Sequence, residues 1–155
     1  MPEITSQRRV NYTPEQMFDL VADIESYPHF VPLCEKLVIR SRRKREDGGE
    51  LVTAAMTIGY KLFRETFTSR VALDRSQLTI IVTYVDGPLQ SLENCWSFSA
   101  DGPEGCLVDF KLSYELRSRT LAMVMGSVFD KVFGRFAEAF EKRAHTVYGS
   151  PTFAG

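Results

Sequence analysis

At 155 residues, 44% hydrophobic and 25% charged, the chain has the size and balance of one globular domain. That composition excludes disordered, collagen-like and coiled-coil classes. With 19 basic and 20 acidic residues the formal charge is −1, which excludes a globally basic nucleic-acid binder but leaves room for a local basic patch. A chain this long buries roughly 70% of its unfolded surface and needs no disulfide or metal to hold a core. Cys34, Cys95 and Cys106 form no C-x-x-C pair and are odd in number, so reduced thiols in a cytosolic compartment are expected. Met1-Pro2-Glu3-Ile4-Thr5 has no basic stretch and no apolar stretch of a leader, and no apolar run approaches the roughly 18 residues of a membrane span. A soluble, cytoplasmic protein is the expectation. One feature stands out: 11 Phe and 6 Tyr beside a single Trp, with Phe129, Phe133, Phe136 and Phe140 close together.

In chain order, Ile4 to Tyr12 reads as a first strand. Thr13-Pro14-Glu15-Gln16 then supplies an N-cap Thr, a Pro at the first helical position and a Gln at the capping-box position. Met17, Phe18, Leu20, Val21 and Ile24 follow at helical spacing. Ser26 is expected to cap a second short turn through Tyr27-Pro28-His29-Phe30-Val31, closed by Pro32.

Between Cys34 and Leu116 six strand-like runs are separated by turn signals. These are Glu46-Asp47-Gly48-Gly49, Gly59-Tyr60, Asp74-Arg75-Ser76-Gln77, Asp86-Gly87-Pro88 and Asp101-Gly102-Pro103-Glu104-Gly105. Such short connections predict an antiparallel meander. Cys106, Val108, Phe110, Leu112, Tyr114 and Leu116 alternate with polar residues, giving a strand with one dry face. Leu92, Asn94, Trp96 and Phe98 repeat the pattern, with Asn94 the polar exception.

After Leu116 the period becomes helical. One long helix is expected from a Ser118 or Thr120 cap to about Tyr148, with Gly149 and Pro151 as stop signals. Its apolar stripe runs Leu121, Met125, Val128, Val132, Phe136, Ala139 and Arg143, widened by Val124, Phe129, Phe133, Phe140, Ala144 and Val147. The predicted fold is α+β: a curved antiparallel sheet of about seven strands wrapped on the long C-terminal helix, with two short helices after strand 1. It forms a single domain over 1–149, with a flexible tail at 150–155. Because a curved sheet cannot touch a straight helix everywhere, a cavity is expected between them, with its mouth beside the two short helices.

Three groups of residues carry a resemblance. Phe18-Asp19-Leu20-Val21-Ala22-Asp23 is followed by Tyr27-Pro28-His29-Phe30-Val31-Pro32-Leu33-Cys34. Gly87-Pro88-Leu89 precedes Leu92-x-x-x-Trp96-x-Phe98, and Phe140-x-x-Arg143-Ala144 precedes Tyr148-Gly149. With the element order, these resemble the START or Bet v 1-like helix-grip superfamily over essentially the whole chain. Within it they resemble the coenzyme Q-binding START-domain family (polyketide cyclase/dehydrase-like), which includes bacterial ribosome-association toxin homologues. The resemblance implies a hydrophobic cavity for ubiquinone or another polyisoprenoid lipid, supporting respiration or quinone biosynthesis, with no catalysis of its own. It also implies an alternative: a toxin-like protein that binds the large ribosomal subunit and blocks subunit association. Cyclase or aromatase activity follows from the superfamily alone.

The residues themselves offer little enzymology. His29 and His145 lie on different elements, and H-E-x-x-H, P-loop, G-x-G-x-x-G and G-x-S-x-G motifs are missing, so no catalytic or metal-ligating residue is expected. The expected cavity is lined by Phe30, Val31, Tyr84, Leu92, Asn94, Trp96, Phe110, Met125, Phe129, Phe133 and Phe136. Taken singly, each of these is more often plain core, but large flat or flexible side chains, Met123 and Met125 included, suit an isoprenoid tail. Tyr27, Pro28 and Pro32, with Phe30, Val31 and Leu33, either plug the end of the sheet or form a lid that admits lipid and touches a bilayer. Asn94, Tyr84 and Tyr114 either bond internally, the preferred reading, or meet a ligand head group.

Arg40, Arg42, Arg43, Lys44 and Arg45 form a dense charge run. The preferred reading is a solvated hairpin tip that blunts an edge; the sharper ones are an anionic lipid surface or ribosomal RNA. Arg143 is expected to cap helix carbonyls or pair with an acid. The expected partners are thus a hydrophobic small molecule or lipid, a membrane surface touched transiently at the inner membrane, and the ribosome. No cofactor is expected besides ubiquinone as bound ligand, and the protein is expected to be a monomer.

Overall fold

The computed structural model describes residues 3–149, so the tail expected at 150–155 lies outside the described residues. The elements run β1 (Glu3–Val10), α1 (Pro14–Ala22), a 3₁₀ helix (Ile24–His29), β2 (Cys34–Lys44), β3 (Glu50–Tyr60), β4 (Phe63–Asp74), β5 (Thr79–Asp86), β6 (Leu89–Ala100), β7 (Cys106–Leu116), α2 (Arg119–Gly134) and α3 (Phe136–Tyr148). Seven antiparallel strands lie in the order β1-β7-β6-β5-β4-β3-β2. From β2 onward each strand pairs with the next in sequence, as short hairpin turns require. The two helical pieces after β1 carry the chain across to the far edge.

Local chemistry explains each start and stop. The Thr13 hydroxyl accepts from the Gln16 N–H at 3.1 Å and the Gln16 side chain accepts from the Thr13 N–H at 2.8 Å, closing the expected capping box of α1. The 3₁₀ helix begins two residues before the expected Ser26 cap. Asp23 occupies its N-cap, and the Ser26 hydroxyl donates to the Asp23 carboxylate at 2.6 Å instead of capping. The β3–β4 turn lies at Lys61-Leu62, with Lys61 at φ +54°, and not at Gly59-Tyr60. Gly59 stays in the ladder for another reason. The Glu35 carboxylate crosses its backbone to reach Arg64, and a Cβ there would sit 2.0 Å from a carboxylate oxygen. Gly87 turns β5 into β6 at φ +143°, tight against the Tyr84 hydroxyl.

The single long helix expected at the C-terminus is two helices. Gly134, a weak helix former like Gly126 within α2, ends the first helix, and Arg135 follows at φ −104° and ψ 2°. The Arg135 N–H falls back on the Val132 carbonyl at 3.2 Å while its own carbonyl opens α3 by accepting from Ala139 at 2.9 Å. The buried stripe is also narrower than expected. Met125, Phe129, Val132, Phe133, Phe136, Phe140 and Ala144 face the sheet, whereas Met123, Val124 and Val147 are exposed off that stripe.

Phe140 is the knot of the core. It is 1% exposed, and Tyr27, Phe30 and Trp96 meet it at 5.1, 4.9 and 4.9 Å between ring centroids, all edge to face. One ring thereby joins the 3₁₀ segment, α3 and the sheet. Two tyrosines pin the far end of α3: Tyr12 donates to the Gly149 carbonyl at 2.9 Å and Tyr148 to the Gln16 carbonyl at 2.8 Å.

Candidate functional site

Alternate residues of a strand share a face, so each strand of the concave side contributes every second side chain. Ala54 and Met56 of β3, Phe67, Ser69 and Val71 of β4, and Leu92, Asn94 and Trp96 of β6 do so around a cavity of about 90 Å³. Leu37, Val82 and Leu112 complete the sheet side, and Phe133, Phe136 and Phe140 form the roof. Ile24 and Tyr27 close it from the 3₁₀ helix. The walls are almost wholly apolar.

Of the residues expected to line a cavity, the structure places Leu92, Asn94, Trp96, Phe133 and Phe136 on its wall, together with Tyr27 from the expected lid. Six others lie elsewhere. Phe30 packs on the outer side of Phe140, under the Arg143 guanidinium at 5.2 Å. There it faces a groove that also includes His29, Pro32 and Arg135. Arg143 therefore meets a ring where an acid or helix carbonyl was expected. Val31 is buried in the core but off the cavity wall, and its backbone closes the turn with bonds to Tyr27 and Cys34. The Tyr84 hydroxyl is committed to the β5–β6 turn, accepting from the Leu89 N–H at 3.0 Å. Phe110 backs Trp96 at 4.7 Å and is screened from the cavity by it. Met125 and Phe129 lie nearer the start of α2, Phe129 held between Phe63 and Phe67. Pro28 sits inside the 3₁₀ helix.

The walls on β2 to β5 escaped sequence reasoning. Their signal was the alternation Ala54, Met56, Ile58 and Phe67, Ser69, Val71, in which the small Ala54 and Ser69 leave room that the larger neighbours do not fill.

Asn94 is the buried polar side chain of the core among the described residues, and it is satisfied internally. It accepts from the Trp96 indole N–H at 2.9 Å and donates to the Lys111 carbonyl at 2.9 Å. One amide proton remains beyond these bonds. The Tyr27 hydroxyl donates to the Val21 carbonyl at 2.6 Å, and burial pushes its phenol far above the ordinary value. Tyr114 donates to the Asp130 carboxylate, latching β7 to α2; burial first, then that carboxylate, raise its phenol. Burial likewise pushes the Cys34 and Cys106 thiols up to about 11, so neither is a thiolate near neutrality. Among the described residues no group of three or more His, Cys, Asp or Glu side chains is placed to hold a metal.

The basic run lies at the exposed end of β2, an edge strand. Arg42 pairs with Glu50 and, at 3.8 Å, with Glu25, and Arg45 pairs with Asp47 at 3.2 Å. Arg40, Arg43 and Lys44 have no ion-pair partner among the described residues.

Residues 10–141 match a family described as polyketide cyclase / dehydrase and lipid transport. The chain belongs to this family. It is 34% identical over 150 residues to the ribosome association toxin RatA of Escherichia coli, covering 97% of this chain and 91% of that one. It is 30% identical over 152 residues to a mitochondrial coenzyme Q-binding protein, COQ10 homolog B of Xenopus laevis, covering 95% of this chain and 59% of that longer one. Among solved structures, an 18 kDa protein of Caulobacter crescentus is 29% identical with a TM-score of 0.76, covering 97% of this chain and 100% of that one. The helix-grip architecture is START/Bet v 1-like, as the resemblance implied. Among the described residues no helix is long and apolar enough to cross a membrane.

The raised thiols set a pH dependence. An ordinary thiol titrates near about 8.5, so above that pH the unfolded chain releases protons that folded Cys34 and Cys106 retain. Their stabilising contribution is complete below about pH 8.5 and is lost as pH rises toward the folded values. Urea midpoints should stay level with respect to these groups from pH 7 to 8 and fall between 9 and 11, and the Cys34→Ala/Cys106→Ala double variant should show a smaller fall. An equal fall in that variant would refute the assignment.

Proposed function

We propose that the protein binds a polyisoprenoid lipid, ubiquinone foremost, in the cavity between the sheet and α2/α3, and carries it without chemical change. The carrying observation is the apolar enclosure of Trp96, Leu92 and Phe67 under Phe133, Phe136 and Phe140. The similarity to a coenzyme Q-binding protein supports the same ligand class. Each buried ligand methylene contributes about 0.8 kcal/mol, so such walls need few polar contacts to hold an isoprenoid. The spare Asn94 amide proton and the Ser69 hydroxyl are the groups for a quinone carbonyl.

Size dictates how the ligand gets in. A cavity of about 90 Å³ is well below the several hundred Å³ of sites that enclose a drug-sized ligand, so binding requires the roof to move. The break at Gly134-Arg135 supplies a joint between Phe133 and Phe136, the two roof rings that flank it. A carrier role also suits the wall chemistry, which offers Ser69, Asn94 and a bonded Tyr27 but no acid–base pair for cyclisation. We place this function in the cytoplasm, with transient contact at the inner membrane, and in a monomer.

Ala54→Leu adds three carbons to the cavity wall without touching the surface. Lipid extracted from purified protein should contain isoprenoid quinone for the wild type and at least about tenfold less for this variant, at unchanged or raised stability. Equal lipid in both, or none in the wild type, overturns the reading.

A second reading rests on the similarity to RatA over nearly the whole chain: binding to the large ribosomal subunit through the unpaired cations Arg40, Arg43 and Lys44. It predicts co-sedimentation with large subunits that weakens with salt. Reversing those three charges should abolish it, whereas neutralising the already paired Arg42 and Arg45 should change it less. Indifference to all five refutes it.

A further inference from the structure

The β-ladders bring five segments to one end of the sheet: the start of β2, the β3–β4 tip, the end of β5, the start of β6 and the β7–α2 connection. Six of the nine exposed large hydrophobics among the described residues are here: Leu33, Tyr60, Leu62, Val85, Met123 and Val124. Leu62 is fully exposed, Met123 87% and Val124 68%. Scattered exposed apolar residues are ordinary, but their crowding at one pole is not.

The charges around this pole fit a lipid interface. Lys61 stands over the Tyr60 ring at 5.3 Å, and Lys61, Arg117 and Arg119 have no ion-pair partner among the described residues. Arg64 binds Glu35 through two bonds of 2.6 and 2.8 Å, so that pair is neutral. Glu65, Asp86 and Glu115 also lie at this end, which keeps its net charge near zero. Long cationic side chains beside protruding apolar ones can place their charges at head-group level.

The same pole is joined to the cavity by rings. Phe63, next to Leu62, meets Phe129 at 5.7 Å, and Phe129 stacks on Phe133 at 5.8 Å, the first roof ring. Beside that path the Tyr114–Asp130 bond holds α2 to β7. A continuous chain of ring contacts thus links this pole to the roof of the cavity.

We infer that this pole docks on a phospholipid bilayer, with Leu62, Met123 and Val124 among the acyl chains, and that it is the portal through which lipid passes the Phe63–Phe129 pair to the cavity. The portal rests on the lipid-carrier reading. A second copy of the chain would bury the same side chains and would show as a dimer in solution.

Flotation of the full chain on vesicles of phosphatidylethanolamine and phosphatidylglycerol tests the docking. The wild type should float, and Leu62→Glu or the paired Met123→Glu/Val124→Glu should reduce the bound fraction about tenfold or more. Val147→Glu, exposed elsewhere, and the cavity-filling Ala54→Leu should float like the wild type. The substituted side chains of the pole and Val147 are exposed, and circular dichroism of each variant checks that it is folded. A wild type that does not float, pole variants that float equally well, or a wild-type dimer that Leu62→Glu converts to monomer would overturn the inference. Flotation that depends on the pole in protein that never yields isoprenoid supports docking and overturns the carrier reading alone.

Discussion

The concave face of the sheet is apolar across its strands, and α2 and α3, with α1 and the 3₁₀ helix beside them, cover it. Everything else follows from that mismatch of a curved surface and two short rods. Phe140 brings the rods and sheet together at one place, contacting Trp96 below and Tyr27 and Phe30 beside it. Such ring pairs contribute about 0.5–1.5 kcal/mol each beyond area burial, so their sum anchors α3 firmly. Beside that knot, whose Tyr27, Trp96 and Phe140 also line the cavity, the two surfaces separate. Where Ala54 and Ser69 are too small to follow, the cavity remains.

The helix break changes what this cover can do. A straight helix of the length first expected would lie rigidly across the sheet, whereas α2 and α3 meet at Arg135. Tyr12 and Tyr148 hold α3 to the start of α1, and Phe140 holds it to the core. On the sheet side α2 depends on its ring contacts and on the single Tyr114–Asp130 bond. On the carrier reading α2 is therefore the part of the roof that would move while α3 stays, and it is α2 that carries the exposed Met123 and Val124. In the proposed reading, the moving part of the roof and the bilayer contact fall at the same end of the molecule.

Much of this was legible in the amino-acid order. The capping box at Thr13 and Gln16, the six-strand meander and the dry face of β7 are local patterns with one physical solution, and the structure adopts it. The helix break was half-legible, since Gly126 and Gly134 were equal weak points under an unbroken apolar stripe and only the second ends a helix. Site residues were less legible because a cavity is made by what fails to meet across elements. Phe110 and Phe129 share the pattern of Trp96 and Phe133, yet the first is screened by an indole and the second is clamped by β4. Ion pairing is equally non-local: nothing in the Arg40 to Arg45 run marks Arg42 as the residue that Glu50 and Glu25 neutralise.

The sole tryptophan lies on the cavity wall, so the protein carries its own reporter of occupancy. Quinones quench indole emission on close contact. Titrating a short-chain ubiquinone into the wild type should quench Trp96 saturably, while Ala54→Leu should show only the weak, linear quenching of collisions in solvent. Saturable quenching that is identical in the two proteins, or none in the wild type, would contradict a lipid-binding cavity at this site.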